Sequence, residues 1–481
     1  MGELDSLKPK DVFHFFEEIT KIPRPSYKEK AISDYLVEFA KERGLFYKRD
    51  DDLNVIIVKP AAENYEDVPP VIIQAHMDMV CAKRPESNKD MDKEGLDIKV
   101  EGNFVYAEGT SLGGDDGIGL AIGLALLDDK KLKAPKIEFV ATTAEETGLE
   151  GATNIDLSCL EGKRLINVDS EEEGKFIVGC AGGSSVSITS PVEEKEVSGT
   201  ELTLKFDGFQ GGHSGVKITD YGANAIKVLA RVLTYAIQRN PLRIESLTVE
   251  GKDNAIPTRS LTKIIVDNED REEIINDIKK EADSIINEYS VSDPDLKFTY
   301  EIKEVNNVKA ARRRESRRIS GLLMALPNGV IRMSRTSPGI PETSLSAGVL
   351  IYRDGKFEVI SAVRSSFESA RYALERQMKF IAERFGAEFN SRFPYPAWEF
   401  KRKSPFRDEM VWLFKEMFGY EPKIEVTHGG LECGIIAQKI DNLECVSLGP
   451  NLLNVHTADE KLDIASTERT YKYIRKVLET R

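Results

Sequence analysis

The sequence is poor in the residues that build covalent or thiolate frameworks. Its five cysteines (Cys81, Cys159, Cys180, Cys433 and Cys445) are odd in number and have no Cys-x-x-Cys spacing. That argues against a disulfide scaffold and against a thiolate zinc site, and it fits a reducing compartment. No window approaches the ~20 apolar residues that a membrane span requires. The first residues carry Glu3, Asp5 and Asp11 and lack the apolar core of a secretory signal, so a cytoplasmic protein is expected. Positive charge is also short: 67 basic against 81 acidic residues leave a formal charge of −14. An acidic surface gives no footprint for nucleic acid. The one basic run, Arg312-Arg313-Arg314 with Arg317-Arg318, reads as a solvated helix face. The phosphate-cradling pattern Gly-x-x-x-x-Gly-Lys-Ser/Thr is missing, which leaves an ATPase without support.

What is present is a long, regularly punctuated chain. With 481 residues, 41% of them hydrophobic, it exceeds one simple core and predicts at least two domains. Residues 11–20 and 28–43 have helical spacing of apolar positions. The runs at 53–59, 71–76, 137–142 and 164–169 read as strands, several of them nearly continuous in apolar residues as expected for strands covered on both faces. The small, apolar stretch Gly117–Leu127 lies between them as a helix. This alternation predicts an α/β domain with a largely parallel sheet. Near residue 185 the pattern changes. A strand at 200–206, a helix at 222–238, strands at 243–250 and 259–266, a helix at 269–288 and a strand at 296–303 give the ferredoxin-like β-α-β-β-α-β order. A second, similar series is read from 311 to about 393, an internal duplication. After Pro394 and Pro396 the α/β pattern returns. Residues 1–185 and 398–481 are therefore expected to form one domain, interrupted by an α+β insertion at 186–397.

Only five histidines exist, and four of them (His76, His213, His428, His456) sit beside glycines or acids near the ends of predicted strands. His14 lies on the amphipathic first helix and reads as structural. In open α/β sheets ligands bind beyond the carboxyl ends of strands. His76 ends one such strand, and Asp78 follows at the spacing that would let it orient the imidazole. Asp115 and Asp116 stand among Gly113, Gly114 and Gly117, which by itself reads as a turn and helix start. Glu145 and Glu146 follow the strand at 137–142. Asp169 ends the strand at 164–169. His456 lies in a loop near the C-terminus. Each has an ordinary reading as a turn or loop residue. Together they place imidazoles and carboxylates on one sheet edge, the ligand chemistry of zinc, cobalt or manganese.

The motifs KIPRPS (21–26), QAHMDMV (74–80), GTSLGGDDGIG (109–119), AEETGLEGA (144–152), GGHSG (211–215), DNAIP (253–257), LPNGVI (326–331), PETSL (341–345), HGGLECG (428–434) and NVHTADEKLDI (454–464) run nearly end to end. In them the chain resembles the peptidase D type of aminoacyl-histidine dipeptidase, or cytosol non-specific dipeptidase, a branch of the aminoacylase and carboxypeptidase metallopeptidase clan. The resemblance implies a catalytic metallopeptidase domain and a lid and dimerisation domain, in a homodimer. It implies two divalent cations, Zn²⁺ with Co²⁺ or Mn²⁺ as alternatives. One would be held by His76 and Asp169 and the other by Glu146 and His456, with Asp115 bridging and a cis peptide to Asp116. Asp78 would orient His76, and Glu145 would be the general base for a metal-bridged hydroxide that cleaves Xaa-His and other unblocked dipeptides. His213, Asn254 and Arg364 would bind substrate, with His213 in many relatives reaching the partner subunit's site. Glu432 is a candidate for the substrate's amino group. Lys217 and Ser346 depart from residues common in the family, and both fall in the expected lid. An aminoacylase, a carboxypeptidase or a non-catalytic peptide-binding protein on the same scaffold are the alternatives.

Overall fold

The computed structural model describes residues 2–335 and 337–480. The chain folds as two compact units. The first takes the residues up to Cys180, Phe400–Val426 and those from Leu431 on; the second takes Ala181–Glu399 and Thr427–Gly430.

The first unit is built on an eight-stranded sheet. Its centre is parallel: Ile137–Thr142, Val71–His76, Arg164–Asn167 and Glu444–Ser447 lie side by side. Antiparallel strands flank them, with Val55–Lys59 and Phe46–Arg49 on one side and Lys175–Cys180 on the other. Every residue of Val71–His76 and of Ile137–Thr142 is buried, which explains their continuous apolar character. The helices Lys10–Thr20, Lys30–Glu42, Gly114–Asp128, Pro405–Phe418 and Ile464–Glu479 supply Phe13, Phe16, Leu36, Leu124, Phe414 and Tyr473 to one core with the sheet. The helix Gly114–Asp128 has non-helical backbone at Asp115 and Asp116, and the peptide joining these two is cis. A small sheet pairs Phe104–Ala107 with Lys461–Asp463, and Lys461–Asp463 with Leu452–Leu453. It brings the loop 454–460 to the segment that precedes Gly113.

The second unit has a nine-stranded sheet in which every strand pair is antiparallel. Two β-α-β-β-α-β modules share it. In one, Lys297–Ala311, Glu194–Asp207, Arg259–Val266 and Leu242–Val249 lie in the order 4-1-3-2. In the other, Glu388–Tyr395, Gly182–Pro191, Lys356–Ser365 and Pro341–Arg353 repeat that order. The modules join where Leu242–Val249 pairs with Pro341–Arg353. The first strand of the second module, Gly182–Pro191, precedes the whole of the first module in sequence. One module is thus nested inside the other, rather than following it as a series that begins at 311. The helices Ala225–Arg239, Arg271–Glu288, Arg313–Ala325 and Glu368–Arg384 cover this sheet around a second core. The basic run at 312–318 is tied down as well as solvated: Arg318 donates to Phe385 O at 3.0 Å and Pro191 O at 2.9 Å.

Candidate active site

Parallel strands deliver their carboxyl ends to one edge, and there the first unit collects its chemistry. His76 is the last residue of Val71–His76 and is paired in register with Thr142. Its Nε2 lies 3.0 Å from Asp115 Oδ1 and 3.4 Å from Asp169 Oδ1. The other oxygen of Asp115 lies 3.2 Å from His456 Nε2, and that nitrogen is 2.9 Å from Glu146 Oε1. One carboxylate therefore stands between two imidazoles that are 380 positions apart in sequence. His456 reaches it from a left-handed loop position, with about half of its side chain exposed.

The supporting residues are buried. Asp78 is fully buried and faces three ways. Its carbonyl lies 3.2 Å from His76 Nδ1, with Oδ1 at 3.4 Å from the same nitrogen. Oδ1 accepts from Glu145 N at 3.0 Å, and Oδ2 from Glu146 N at 3.2 Å and from Ser26 Oγ at 2.7 Å. Asp78 thus contacts both the imidazole and the turn that carries the two glutamates. Asp116 spends its oxygens on backbone, accepting from His76 N at 3.2 Å and Gly119 N at 3.1 Å.

The electrostatics are those of crowded carboxylates. Burial, with Asp115 and Glu146 nearby, pushes Asp169 up to about 6, and burial beside Asp115 and Asp169 pushes Glu171 to about 7. Burial raises Glu145 well above the carboxylate range, helped by Asp169, Glu432 and Glu146. The Asp115 carboxylate hydrogen-bonded to it, with the Glu146 carboxylate beside it, raises His456 to about 11. Glu146 Oε1 is buried without a well-directed hydrogen bond; His456 is close to it but off the line of one. Three groups of ligand atoms lie within 4.8 Å of one another: His76, Asp116 and Asp169; His76, Glu145 and Glu146; Asp115, Glu146 and His456. An excess of buried carboxylate oxygen beside two imidazoles, with Glu146 Oε1 and Glu432 Oε1 without a hydrogen bond, is a donor set that fits divalent cations.

Other residues fall elsewhere. Glu432 does not face outward toward an amino group. It is fully buried, accepts from Gln74 Nε2 at 2.6 Å and Thr142 Oγ1 at 2.7 Å, and is pushed by burial to about 8. Gly109–Gly113 has the letters of a Gly-x-Ser-x-Gly nucleophile elbow, but Ser111 is buried and donates to Val80 O at 2.6 Å. The sequence reading passed over Arg24, Glu171 and Glu460. Arg24 and Glu460 stand inside the motifs KIPRPS and NVHTADEKLDI, and a buried charge in such a motif was the signal available.

In the second unit, Arg364 donates from Nη1 to Tyr395 Oη at 2.7 Å and places Nη2 3.4 Å from the exposed His213. The backbone carbonyl of Asn254 accepts from Ser214 N at 2.8 Å, next to His213. His428 is buried with Nε2 2.7 Å from Ser344 Oγ. Lys217 makes an exposed ion pair with Asp220 at 3.0 Å, and Ser346 is buried.

All five cysteines are free thiols. Among the described residues no helix is long and apolar enough to cross a membrane.

Comparison with known proteins agrees with this architecture. Residues 72–480 match the model of Peptidase family M20/M25/M40. Cytosol non-specific dipeptidase of Escherichia coli (strain K12) is 34% identical over 484 residues, covering 99% of each chain. The crystal structure of aminoacylhistidine dipeptidase from Vibrio alginolyticus superposes with a TM-score of 0.88 at 32% identity, over 99% of this chain and 98% of that one. Aminopeptidase PepT from Bacillus cereus shares the fold at 16% identity, with a TM-score of 0.56 over 98% of both chains. The match across most of the chain, together with the full-length identity, makes this protein a hydrolase of Peptidase family M20/M25/M40.

Proposed function

We propose that this chain is a dinuclear metallodipeptidase that cleaves unblocked dipeptides. The observation that carries the reading is the Asp115 carboxylate, with His76 at one oxygen and His456 at the other. His76 and Asp169 would hold one divalent cation, Glu146 and His456 the other, and Asp115 would serve both. Imidazole and carboxylate ligands suit Zn²⁺, with Co²⁺ and Mn²⁺ as substitutes. Held there, they would supply a Lewis acid for a carbonyl oxygen and would lower the pKa of water to ~7.

The chain's own residues do the rest. Asp78 sets the His76 ring and the Glu145–Glu146 turn together. Glu145 takes a proton from the attacking water at its carboxylate and returns it to the departing amine nitrogen. The second unit acts in this reading as a lid that serves the substrate. Arg364 would pair with a free carboxylate terminus, His213 would meet the oxyanion, and Asn254 would add a polar contact. The full-length likeness to a cytosol non-specific dipeptidase and to an aminoacylhistidine dipeptidase supports dipeptides, Xaa-His among them, as the substrate class. The name of the first relative also supports a cytoplasmic location, and the motif resemblance implies a homodimer.

The test uses metal-stripped protein, a panel of dipeptides, N-acyl amino acids and longer peptides, and Zn²⁺, Mn²⁺ or Co²⁺ added back, with products read by mass spectrometry. Metal-dependent release of free amino acids from dipeptides is expected. Preference for N-acyl amino acids would make it an aminoacylase, preference for longer peptides a carboxypeptidase. Bound metal without any hydrolysis would leave a peptide-binding protein.

A further inference from the structure

The loop that carries Asp115 is held from two sides by a buried cation and a buried anion, neither of which touches the ligand atoms. Arg24 and Glu460 are 1% and 2% exposed. Arg24 donates from Nη1 to Met77 O and Asp78 O, both at 2.8 Å, and from Nη2 to Gly113 O. Glu460 accepts four successive backbone N–H groups. Oε2 takes Leu112 at 2.8 Å and Gly113 at 2.9 Å, and Oε1 takes Gly114 at 2.8 Å and Asp115 at 3.2 Å. The amide side of the loop is thus turned to the anion, while the carbonyl of Gly113 is turned to the cation. Both charges are satisfied by backbone dipoles, and they attract one another.

The glycines make this approach possible. A Cβ on Gly113 would stand 2.5 Å from Arg24 Nη2, and one on Gly114 would stand 2.6 Å from Leu452 Cδ2 and 3.2 Å from Glu460 Oε1. Gly113 also takes a left-handed φ of 63°. Glu460 reaches the loop because it directly precedes Lys461–Asp463, the strand paired with Phe104–Ala107. His456 lies four residues earlier in the same connection. Arg24, through Met77 and Asp78, touches the segment that follows His76.

We propose that Arg24 and Glu460 are positioning residues that together fix the Asp115 carboxylate at the spacing the two cations share. The proposal rests on the reading of Asp115 as the ligand common to both cations. A carboxylate free to shift would still bind one cation well but would hold the pair poorly. Groups behind metal ligands typically govern affinity or activity by ~10–100-fold.

Co²⁺ titration, followed by calorimetry and the visible d–d spectrum, tests it in wild-type protein and in Glu460→Gln and Arg24→Lys. Gln turns an amide NH₂ toward backbone donors, and Lys replaces a planar fork with a point charge. Wild type is expected to bind two Co²⁺ per chain; fewer than two would overturn the metal reading itself. Given two, the variants are expected to weaken the second Co²⁺ by ~10–100-fold, change its spectrum, and lower kcat with KM within about threefold. Unchanged affinity and spectrum in folded variants would overturn the clamp. If Glu460→Gln does not fold, Glu460→Asp keeps the charge one methylene farther back, and a measurably weaker second Co²⁺ with a changed spectrum is expected; wild-type affinity and spectrum in that variant would overturn the clamp. Wild type alone gives a further arm: hydrogen exchange across residues 112–115 should be as slow as in the neighbouring strand Phe104–Ala107. Exchange at the rate of an open loop would overturn the clamp without any substitution.

Discussion

Glu145 and His428 show how two titratable side chains are set by what surrounds them. Glu145 keeps its backbone fixed by Asp78 while its carboxyl lies among Asp169, Glu432 and Glu146. Glu145→Gln keeps the shape and removes the proton acceptor. It is expected to lower kcat by ~10²–10⁴ while Co²⁺ titration still finds two bound ions. Substantial turnover in that variant would reassign the base. His428 is lowered to about 4, first by burial and then by the Arg364 charge, with Nε2 against Ser344. A histidine whose folded pKa lies below its unfolded value stabilises above ~6.5, and that contribution is lost as pH falls toward 4. Wild type should therefore lose more stability than His428→Gln between pH 7 and pH 4.5, measured as the difference in Tm at the two pH values. Equal losses would show that His428 does not bear on acid sensitivity. The residue scale is also where sequence reading was least complete. Glu432 stands in a glycine-flanked motif beside the expected site, yet it turns inward to Gln74 and Thr142. Which way a side chain leaves a helix N-terminus depends on the neighbour that receives it, and that neighbour is 358 residues away in sequence.

At the scale of elements, local chemistry was largely legible. The strands 71–76, 137–142 and 259–266 span the same residues as the runs read for them. The helix Ala225–Arg239 begins where Asn224 caps it, accepting from Ile226 N at 3.0 Å and Lys227 N at 3.3 Å. Asn224 Nδ2 also donates to Ala347 O at 2.8 Å, so one side chain ties the helix of one module to a strand of the other. Asn224→Ala is expected to cost ~1–2 kcal/mol for the cap, read as a lower Tm or denaturation midpoint. Asn224→Asp should recover much of that loss, because it keeps the acceptor and loses only the donor to Ala347. Elements read less well where their pattern was mixed. Gly182–Pro191 is rich in glycine and serine, poor signals for a strand, yet it pairs on both sides, with Lys356–Ser365 and Glu388–Tyr395. Glu388–Tyr395 holds exposed and half-buried positions at a sheet edge, so its alternation is weak. Missing the first of these hid the nesting of the two modules. In the helix after Gly113 the reading started at Gly117, and the backbone agrees, since Asp115 and Asp116 are not helical.

For the molecule as a whole, each unit has its own hydrophobic core, and the crowded carboxylates belong to the first unit alone. Cations that bind the folded first unit and not the unfolded chain stabilise it, by about 2.7 kcal/mol at a hundredfold excess over Kd. Scanning calorimetry before and after chelation should show a transition that moves down by several degrees on stripping, while a second transition stays in place. No shift on stripping would argue against a metal centre in the first unit.

The sequence by itself determined the class of the molecule: an α/β frame interrupted by α+β modules, and a family whose motifs run the length of the chain. Apolar periodicity and glycine-flanked acids are local properties, and they survive in one dimension. The tertiary structure decided the rest. It set His456 against Asp115, nested one module in the other, turned Glu432 inward, and brought both Arg24 and Glu460 to one loop. Each of these depends on pairings between distant segments, where burial and hydrogen-bond satisfaction, not local propensity, select the partner.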